Sequence, residues 1–258
     1  MLHLKSAEEI ELLRASNQMV SRILALLAEV IKPGVTTLEL DRIAEEYIRG
    51  QGAVPGFKGY NGFPATLCTS VNDEVVHGIP SMYSLRDGDI VSIDCGVILN
   101  GYYGDSAFSF GVGEIGEDKN RLLAYTRSSL EKGVMQAIVG NRIGDISDAV
   151  QTEAEEAGYS VVRELVGHGL GKHLHESPEV PNYGRKGKGI KMKEGLVICI
   201  EPMINMGTKN IRQSRDGWTI RTADGKPSAH FEYAVAVGRG EADVLTTFEF
   251  IDNVLNKE

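Results

Sequence analysis

Cysteine is scarce in this sequence, and where it occurs it does not pair. Cys68, Cys95 and Cys199 are an odd set with no CxxC and no close spacing, which argues against a disulfide scaffold and a structural zinc site. They fit a reducing compartment. Long apolar runs are missing as well, since nothing approaches the roughly 18 apolar residues of a spanning helix. The opening MLHLKSAEEIELL is charged and helical in pattern, without a signal-peptide core or cleavage site. A cytoplasmic protein with no membrane contact is the expectation. Positive charge is in deficit, at a net −9, which argues against generalised binding to nucleic acid or anionic surfaces. HExxH is absent, so zincin chemistry is excluded. What is present is a globular composition, 42% apolar and 24% charged over 258 residues, enough for a substantial core.

Apolar residues at Ile10, Leu13, Val20, Leu24, Leu27 and Ile31 step by three and four, broken only at Asn17. This predicts one amphipathic helix from the Ser6 cap to Pro33-Gly34. A shorter helix follows from Thr37 to about Gly50, with Leu40, Ile43 and Tyr47 inward. The order then recurs: a helix from Glu117 to Ile138, ending near Gly140, and another from Gly144 to Gly158. A shift of 107 positions lays Asp41 on Asp148, Ile43 on Val150 and Glu46 on Glu153, and LRDGDIVSID (Leu85 to Asp94) on MKEGLVICIE (Met192 to Glu201). A constant offset over separate segments predicts an internal repeat, about 1–113 and 114–258 of a single domain spanning 1–258. Helices before strands in each half point to α+β, with helices on one face of an antiparallel sheet. The repeat makes Asp94 and Glu201 equivalent.

Val91, Ile93, Cys95 and Val97 alternate with Ile90, Ser92, Asp94, Gly96 and Ile98, and Asn100-Gly101 is a strong hairpin signal. With those two residues as the turn, Leu99 faces Tyr102 and Gly96 faces Asp105. Asp94 then sits diagonally from Asp105, about 7–8 Å away along the backbone. Gly96 leaves space beside them. Two uncompensated carboxylates on one face repel, so either the face is solvated or a cation joins them.

The segment VGHGLGKHLHESPEV carries His168, His173 and His175, with glycines on both sides of His168 that let backbone approach an ion. Leu196 to Met203 reads as an apolar strand interrupted by Glu201, and AHFEYAVAV as another interrupted by Glu232, its face continuing through Ala234 and Ala236. Ionised carboxylates inside sheets are costly. A salt bridge to Arg212 or Arg221 is the alternative to a metal for either glutamate.

Asp94, Asp105, His168, Glu201 and Glu232, in that order, resemble the five metal ligands of the type I methionine aminopeptidases of metallopeptidase family M24. LCTSVNDEVVHGIP, DGDIVSIDCGV, GYYGDSAFSF, GHGLGKHLHE, IEPMIN and DGWTIRT carry the resemblance over essentially the whole chain. It implies the pita-bread fold, α+β with pseudo-two-fold duplicated halves and a curved antiparallel sheet covered by helices. It implies hydrolytic removal of N-terminal methionine from peptides and nascent proteins, preferring a small second residue. The implied cofactor is two divalent ions, Co, Mn, Fe or Zn, with Asp105 and Glu232 shared, His168 and Glu201 completing one site and Asp94 the other. Glu201 is the implied proton carrier, and His77 and His175 the donors to the reacting carbonyl. Tyr60, Phe63, Cys68, Leu174 and Trp218, with Phe57 nearby, are the implied walls of a methionine slot. Asn61, Leu174 and Phe57 depart from the residues common in relatives, and bear on slot shape rather than on the ligands.

GVGEIG (Gly111 to Gly116) matches a dinucleotide fingerprint, but follows the return arm of a hairpin and reads as a loop. GHGLGKH has the wrong glycine spacing for a phosphate loop, and His173 stands where Ser or Thr is needed. The basic stretch GRKGKGIKMK (Gly184 to Lys193) is a candidate ribosome contact or a solvated loop. The resemblance suggests a monomer. Two other functions compete: a proline-specific peptidase of the same fold, usually with an added N-terminal domain, and a binding module that has lost its ligands. Here all five ligand positions are filled.

Overall fold

Ser6 starts the first helix by a capping box, its Oγ accepting from Glu9 N at 3.3 Å while the Glu9 carboxylate accepts from Ser6 N at 3.0 Å. This helix, α1 (Ala7–Ala28), buries Leu13, Val20, Leu24 and Leu27. It stops short of the expected Pro33-Gly34. The N–H groups of Val30 and Ile31 both donate to Leu27 O, at 3.1 and 3.0 Å, closing the last turn, and the residue before a proline is pushed out of the helical region. Ile31 still packs on the core, so the apolar period outlasts the helix. Helix α2 (Thr37–Gly50) is capped by Thr36 Oγ1 accepting from Glu39 N at 3.2 Å. Its buried stripe is Leu40, Ala44 and Ile48, whereas Ile43 and Tyr47 sit at the edge.

The computed structural model describes residues 2–256, so positions 1, 257 and 258 of the expected domain lie outside the described residues. After α2 come β1 (Val54–Pro55), β2 (Leu67–Val71), β3 (Glu74–Val76), β4 (Ile90–Leu99) and β5 (Tyr102–Gly111). Helices α3 (Glu117–Val134) and α4 (Ile143–Glu156) lead to β6 (Ser160–Val161), β7 (Gly167–Gly169), β8 (Glu176–Val180), β9 (Val197–Ile200) and β10 (Met203–Asn205). Then follow β11 (Ile211–Gln213), β12 (Ile220–Thr222), β13 (Ser228–His230), β14 (Tyr233–Ala236), β15 (Asp243–Val244) and α5 (Glu249–Leu255). Helix α3 ends before Ile138 because Val139 N is drawn away to Gly238 O, at 2.8 Å. Gly111 to Gly116 forms the end of β5 and a loop, with Gly116 as the cap of α3.

All the named strand pairings are antiparallel. Strand β4 is central to one sheet, with β1 and β2 along one edge and β5 along the other. The second large sheet runs β15-β14-β9-β7-β8. The β4–β5 register matches the reading from the turn, Leu99 opposite Tyr102 and Gly96 opposite Asp105, with Asn100 and Gly101 at φ +52° and +79° as a type I′ turn requires. The space beside Gly96 is not left for the carboxylates. A Cβ there would lie 2.4 Å from Phe57 Cε1, so the glycine makes the seat of that ring.

The two sheets meet where β5 runs beside the β13–β14 segment. Glu232 N donates to Ala107 O at 2.9 Å, Ser106 Oγ to Glu232 O at 2.7 Å, and Ser109 Oγ to His230 O at 2.8 Å. Both glutamates expected inside strands lie at strand breaks instead. Strand β9 ends at Ile200, Pro202 has no N–H for a ladder, and β10 continues in another sheet beside β13 and β6. Likewise β13 and β14 belong to different sheets, with Phe231 and Glu232 turning the corner.

Candidate functional site

Every residue assigned from the sequence to the site lines one cavity between the two sheets: the five acidic and imidazole positions, His77 and His175, and the slot walls. Asp94 and Asp105 come from facing strands of the hairpin, Glu201 and Glu232 from the two corners, and His168 from β7. The glycines around His168 serve the strand rather than an ion. A Cβ on Gly167 would meet Cys199 O at 2.3 Å and one on Gly169 would meet Ser177 O at 2.6 Å, so β7 can lie between β8 and β9 only with glycine at both. His77 follows β3 at φ +59°, a left-handed conformation that turns its ring into the cavity. Tyr60 OH and His175 Nδ1 are 2.8 Å apart, and the rings of His168 and His175 meet edge to face at 4.3 Å between centroids. His173 does not join them; it is exposed, and its backbone N–H donates to Glu176.

Among the described residues, no lysine or arginine lines this cavity. Arg221 is taken by Asp73 and Glu74, and Arg212 lies 3.9 Å from Asp73, so neither guanidinium neutralises Glu201 or Glu232. Burial, followed by the charges of their neighbours, pushes the carboxyls of Asp105, Glu201 and Glu232 well above the usual carboxylate range. Burial raises Asp94 to about 7. It lowers His168 to about 4, leaving a neutral imidazole whose Nδ1 lies 3.0 Å from Gly169 O, which turns Nε2 toward the acids. His168 Nε2 is 3.5 Å from Glu201 Oε1 and 3.7 Å from Asp105 Oδ2, longer than good hydrogen bonds. Asp94 Oδ1, Asp105 Oδ1 and Glu232 Oε1 are buried with no partner. Buried acceptors without donors, beside a neutral imidazole, are the donor set a divalent cation satisfies, and the residues fit such an ion.

Ligand atoms of Asp105, His168, Cys199 and Glu232 all lie within 4.8 Å of one another. Cys199 was not among the expected site residues. Burial and the nearby carboxylates raise its thiol far above the ordinary value, so it stands there as a neutral S–H. His230 was also missed. It is buried, lines the cavity, and holds an unpartnered Nε2 3.8 Å from Glu201 Oε2. Its signal was the two-residue spacing from Glu232, and Cys199 has the same spacing from Glu201.

The slot walls meet as a mixed aromatic and aliphatic surface. Phe63 and Trp218 pack edge to face at 5.1 Å, Leu174 and Cys68 are buried beside them, and Phe57 fills the hollow over Gly96.

A profile of metallopeptidase family M24 matches residues 11–239. A methionine aminopeptidase of Clostridium perfringens is 52% identical over 246 residues, covering 95% of this chain and 99% of that one. The crystal structure of the methionine aminopeptidase from Rickettsia prowazekii superposes with a TM-score of 0.95 at 38% identity, covering 96% of this chain and 100% of the other. That of Thermotoga maritima gives 0.94 at 39% identity, with the same coverage. These neighbours share the pita-bread arrangement of antiparallel sheets and helices described above.

Proposed function

The chain belongs to metallopeptidase family M24 and hydrolytically removes N-terminal methionine, and from that premise we propose which side chains carry the reaction. Asp94, Asp105, His168, Glu201 and Glu232 would hold two divalent ions. The oxygen-rich donor set suits Co, Mn, Fe or Zn. When bound, the ions supply Lewis-acid polarisation and acidify water. The observation that carries this reading is the group of buried, unpartnered carboxylate oxygens in a cavity that, among the described residues, no lysine or arginine lines.

Glu201 takes the proton of the attacking water and passes it to the leaving amine. His77 and His175, both held toward the neutral form by burial, donate hydrogen bonds as charge develops on the carbonyl oxygen. Tyr60 fixes the ring of His175. The substrate's amino terminus lies beside Asp94, so chain ends alone are cut.

Tyr60, Phe63, Cys68, Leu174 and Trp218 form the methionine slot. An apolar slot discriminates one methylene by only about 1–3 kcal/mol, so preference for methionine is graded. Crowding beside the acids favours a small second residue. The substrates are peptides and nascent chains, and the protein acts in the cytoplasm as a monomer; no helix among the described residues is long and apolar enough to cross a membrane. Residues 1–258 act as one catalytic domain with repeat halves of about 1–113 and 114–258. The order of elements supports this, as does the pair of bridges Thr36–Ser84 and Arg142–Lys191, one in each half. The exposed basic segment from Gly184 to Lys193 contacts ribosomal RNA phosphates. Binding to ribosomes that weakens steeply with salt, and loses that dependence when Lys186 and Lys188 are neutralised, tests this last point.

The deciding assay compares Met-Ala, Met-Lys, Leu-Ala and Xaa-Pro peptides with and without chelator. Chelator-sensitive cleavage that favours Met-Ala is expected. Preference for Xaa-Pro peptides would move the activity to the proline-specific branch of the fold.

A further inference from the structure

Trp218, the single tryptophan of the sequence, reaches the cavity wall on the turn between β11 and β12. Little apolar burial holds this hairpin. Arg212 and Gln213 are exposed, Ile211 and Ile220 only partly buried, and β12 joins the rest of the molecule through the short strand β3. The attachment is polar. Arg221 faces Glu74 in register, and its guanidinium donates to Asp73 Oδ1 at 2.7 Å and to Glu74 Oε1. Thr222 N adds a bond to Asp73 O at 2.8 Å. These side chains are 31%, 23% and 16% exposed for Arg221, Asp73 and Glu74, so solvent screens the pair only in part.

From Arg221 the order is passed to Trp218 along the turn. Asp216 Oδ1 accepts from the N–H groups of Trp218 and Thr219, both at 2.9 Å, and Oδ2 from Thr219 Oγ1 at 2.7 Å. The turn is therefore stiff, and its freedom is that of the whole hairpin about β3. Strand β3 has its own fastenings: Thr69 N donates to Gly78 O at 2.8 Å, Gly78 N to Ser70 Oγ at 3.1 Å, and Val71 N to Glu74 Oε2 at 2.8 Å.

We propose that Arg221 is a positioning residue for substrate selection, clamping the β11–β12 hairpin to β3 so that Trp218 closes one side of the methionine slot against Phe63. It acts through Trp218 and touches no reacting atom. This rests on the reading of Trp218 as a slot wall, and the experiment separates the two. In the metal-loaded protein, Arg221→Leu, Arg221→Lys and Trp218→Ala are compared by tryptophan emission where present, by acrylamide quenching, and by kcat and KM on Met-Ala and Leu-Ala. Arg221→Leu is expected to red-shift the emission, increase quenching, and raise the Met-Ala KM about 3–10-fold with kcat within about twofold, narrowing the preference over Leu-Ala. Arg221→Lys recovers most of each change. Wild-type emission and KM in Arg221→Leu overturn the clamp. Equal losses on both peptides with no recovery by lysine also overturn it, because they reduce Arg221 to general stability. Unchanged discrimination in Trp218→Ala removes the slot reading while leaving the emission result to decide the clamp. If Arg221→Leu does not fold, Asp73→Leu removes the Asp73 half of the pairing while keeping the Glu74 bond to Val71 N, and is read by the same measurements.

Discussion

Asn17 Oδ1 accepts the backbone N–H of Asp105 at 3.0 Å, while Asn17 Nδ2 donates to Leu13 O at 2.8 Å within its own helix. The one polar break in the apolar stripe of α1 is thus a buried amide that locks the backbone of Asp105, a cavity carboxylate, to the first helix. Helix and strand approach closely here; a Cβ on Gly104 would fall 2.5 Å from the Ser16 carbonyl carbon. Asn17→Leu keeps the volume and removes the acceptor, so the Asp105 N–H is left buried and unpaired. The expected cost is about 1–3 kcal/mol in denaturant unfolding, with weaker uptake of divalent ions by calorimetry. Wild-type values for both would dissociate Asn17 from the site.

The β4–β5 hairpin was legible to the residue because two constraints act together, the Asn100-Gly101 turn and the two-residue period, and either alone fixes the register. The acids of the cavity were legible as unusual positions because acids in apolar segments are rare. Strand ends were less so. Leu196 to Met203 is uniformly apolar on either side of Glu201, and composition does not record that Pro202 moves the chain into a second sheet. The ends of α1 and α3 were overrun because Ile31 and Ala137 remain buried or packed after helical hydrogen bonding has stopped. Cys199 and His230 carried only the two-residue spacing from Glu201 and Glu232 as a local signal; their approach to the other cavity residues is set by long-range packing.

Gly96 illustrates the same limit, since its role depends on a ring thirty-nine positions earlier (96 − 57). Gly96→Ala forces Phe57 to shift, because the added methyl would sit at 2.4 Å from Cε1. Overpacking of this kind costs about 1–3 kcal/mol, and the displaced ring intrudes on the slot. A raised KM for Met-Ala and a lowered melting temperature are expected. Smooth accommodation, with neither value changed, would mean that Phe57 has room to spare.

The metal-free protein carries its acids at a disadvantage that depends on pH. Burial holds Asp94 at about 7, against 3.8 for the free group. A carboxyl with a raised folded-state pKa contributes stability that is complete below its unfolded value and is lost as pH rises through the folded value. In chelator-treated protein, Asp94→Asn is therefore expected to gain on the wild type as pH rises from about 4 to about 7, measured by thermal melts. A gap that stays constant or narrows over this range contradicts the burial argument.

Glu201→Gln keeps shape and removes the proton carrier. Turnover of Met-Ala is expected to fall by at least about 100-fold, the scale of a lost general base, while the circular dichroism spectrum is retained. Near-normal turnover would take the proton-transfer role away from Glu201. A parallel metal titration separates lost proton transfer from lost ion binding, because Glu201 is proposed to do both.

Binding of divalent ions by the buried carboxylates and His168 underlies every role proposed for Glu201, His77 and His175. Metal-stripped, folded protein, titrated with Mn(II) or Co(II) and analysed for bound metal and for Met-Ala cleavage, measures this at once. Two ions bound per chain, with activity returning alongside them, is the predicted result; folded protein that binds no divalent ion and cleaves Met-Ala regardless would contradict it.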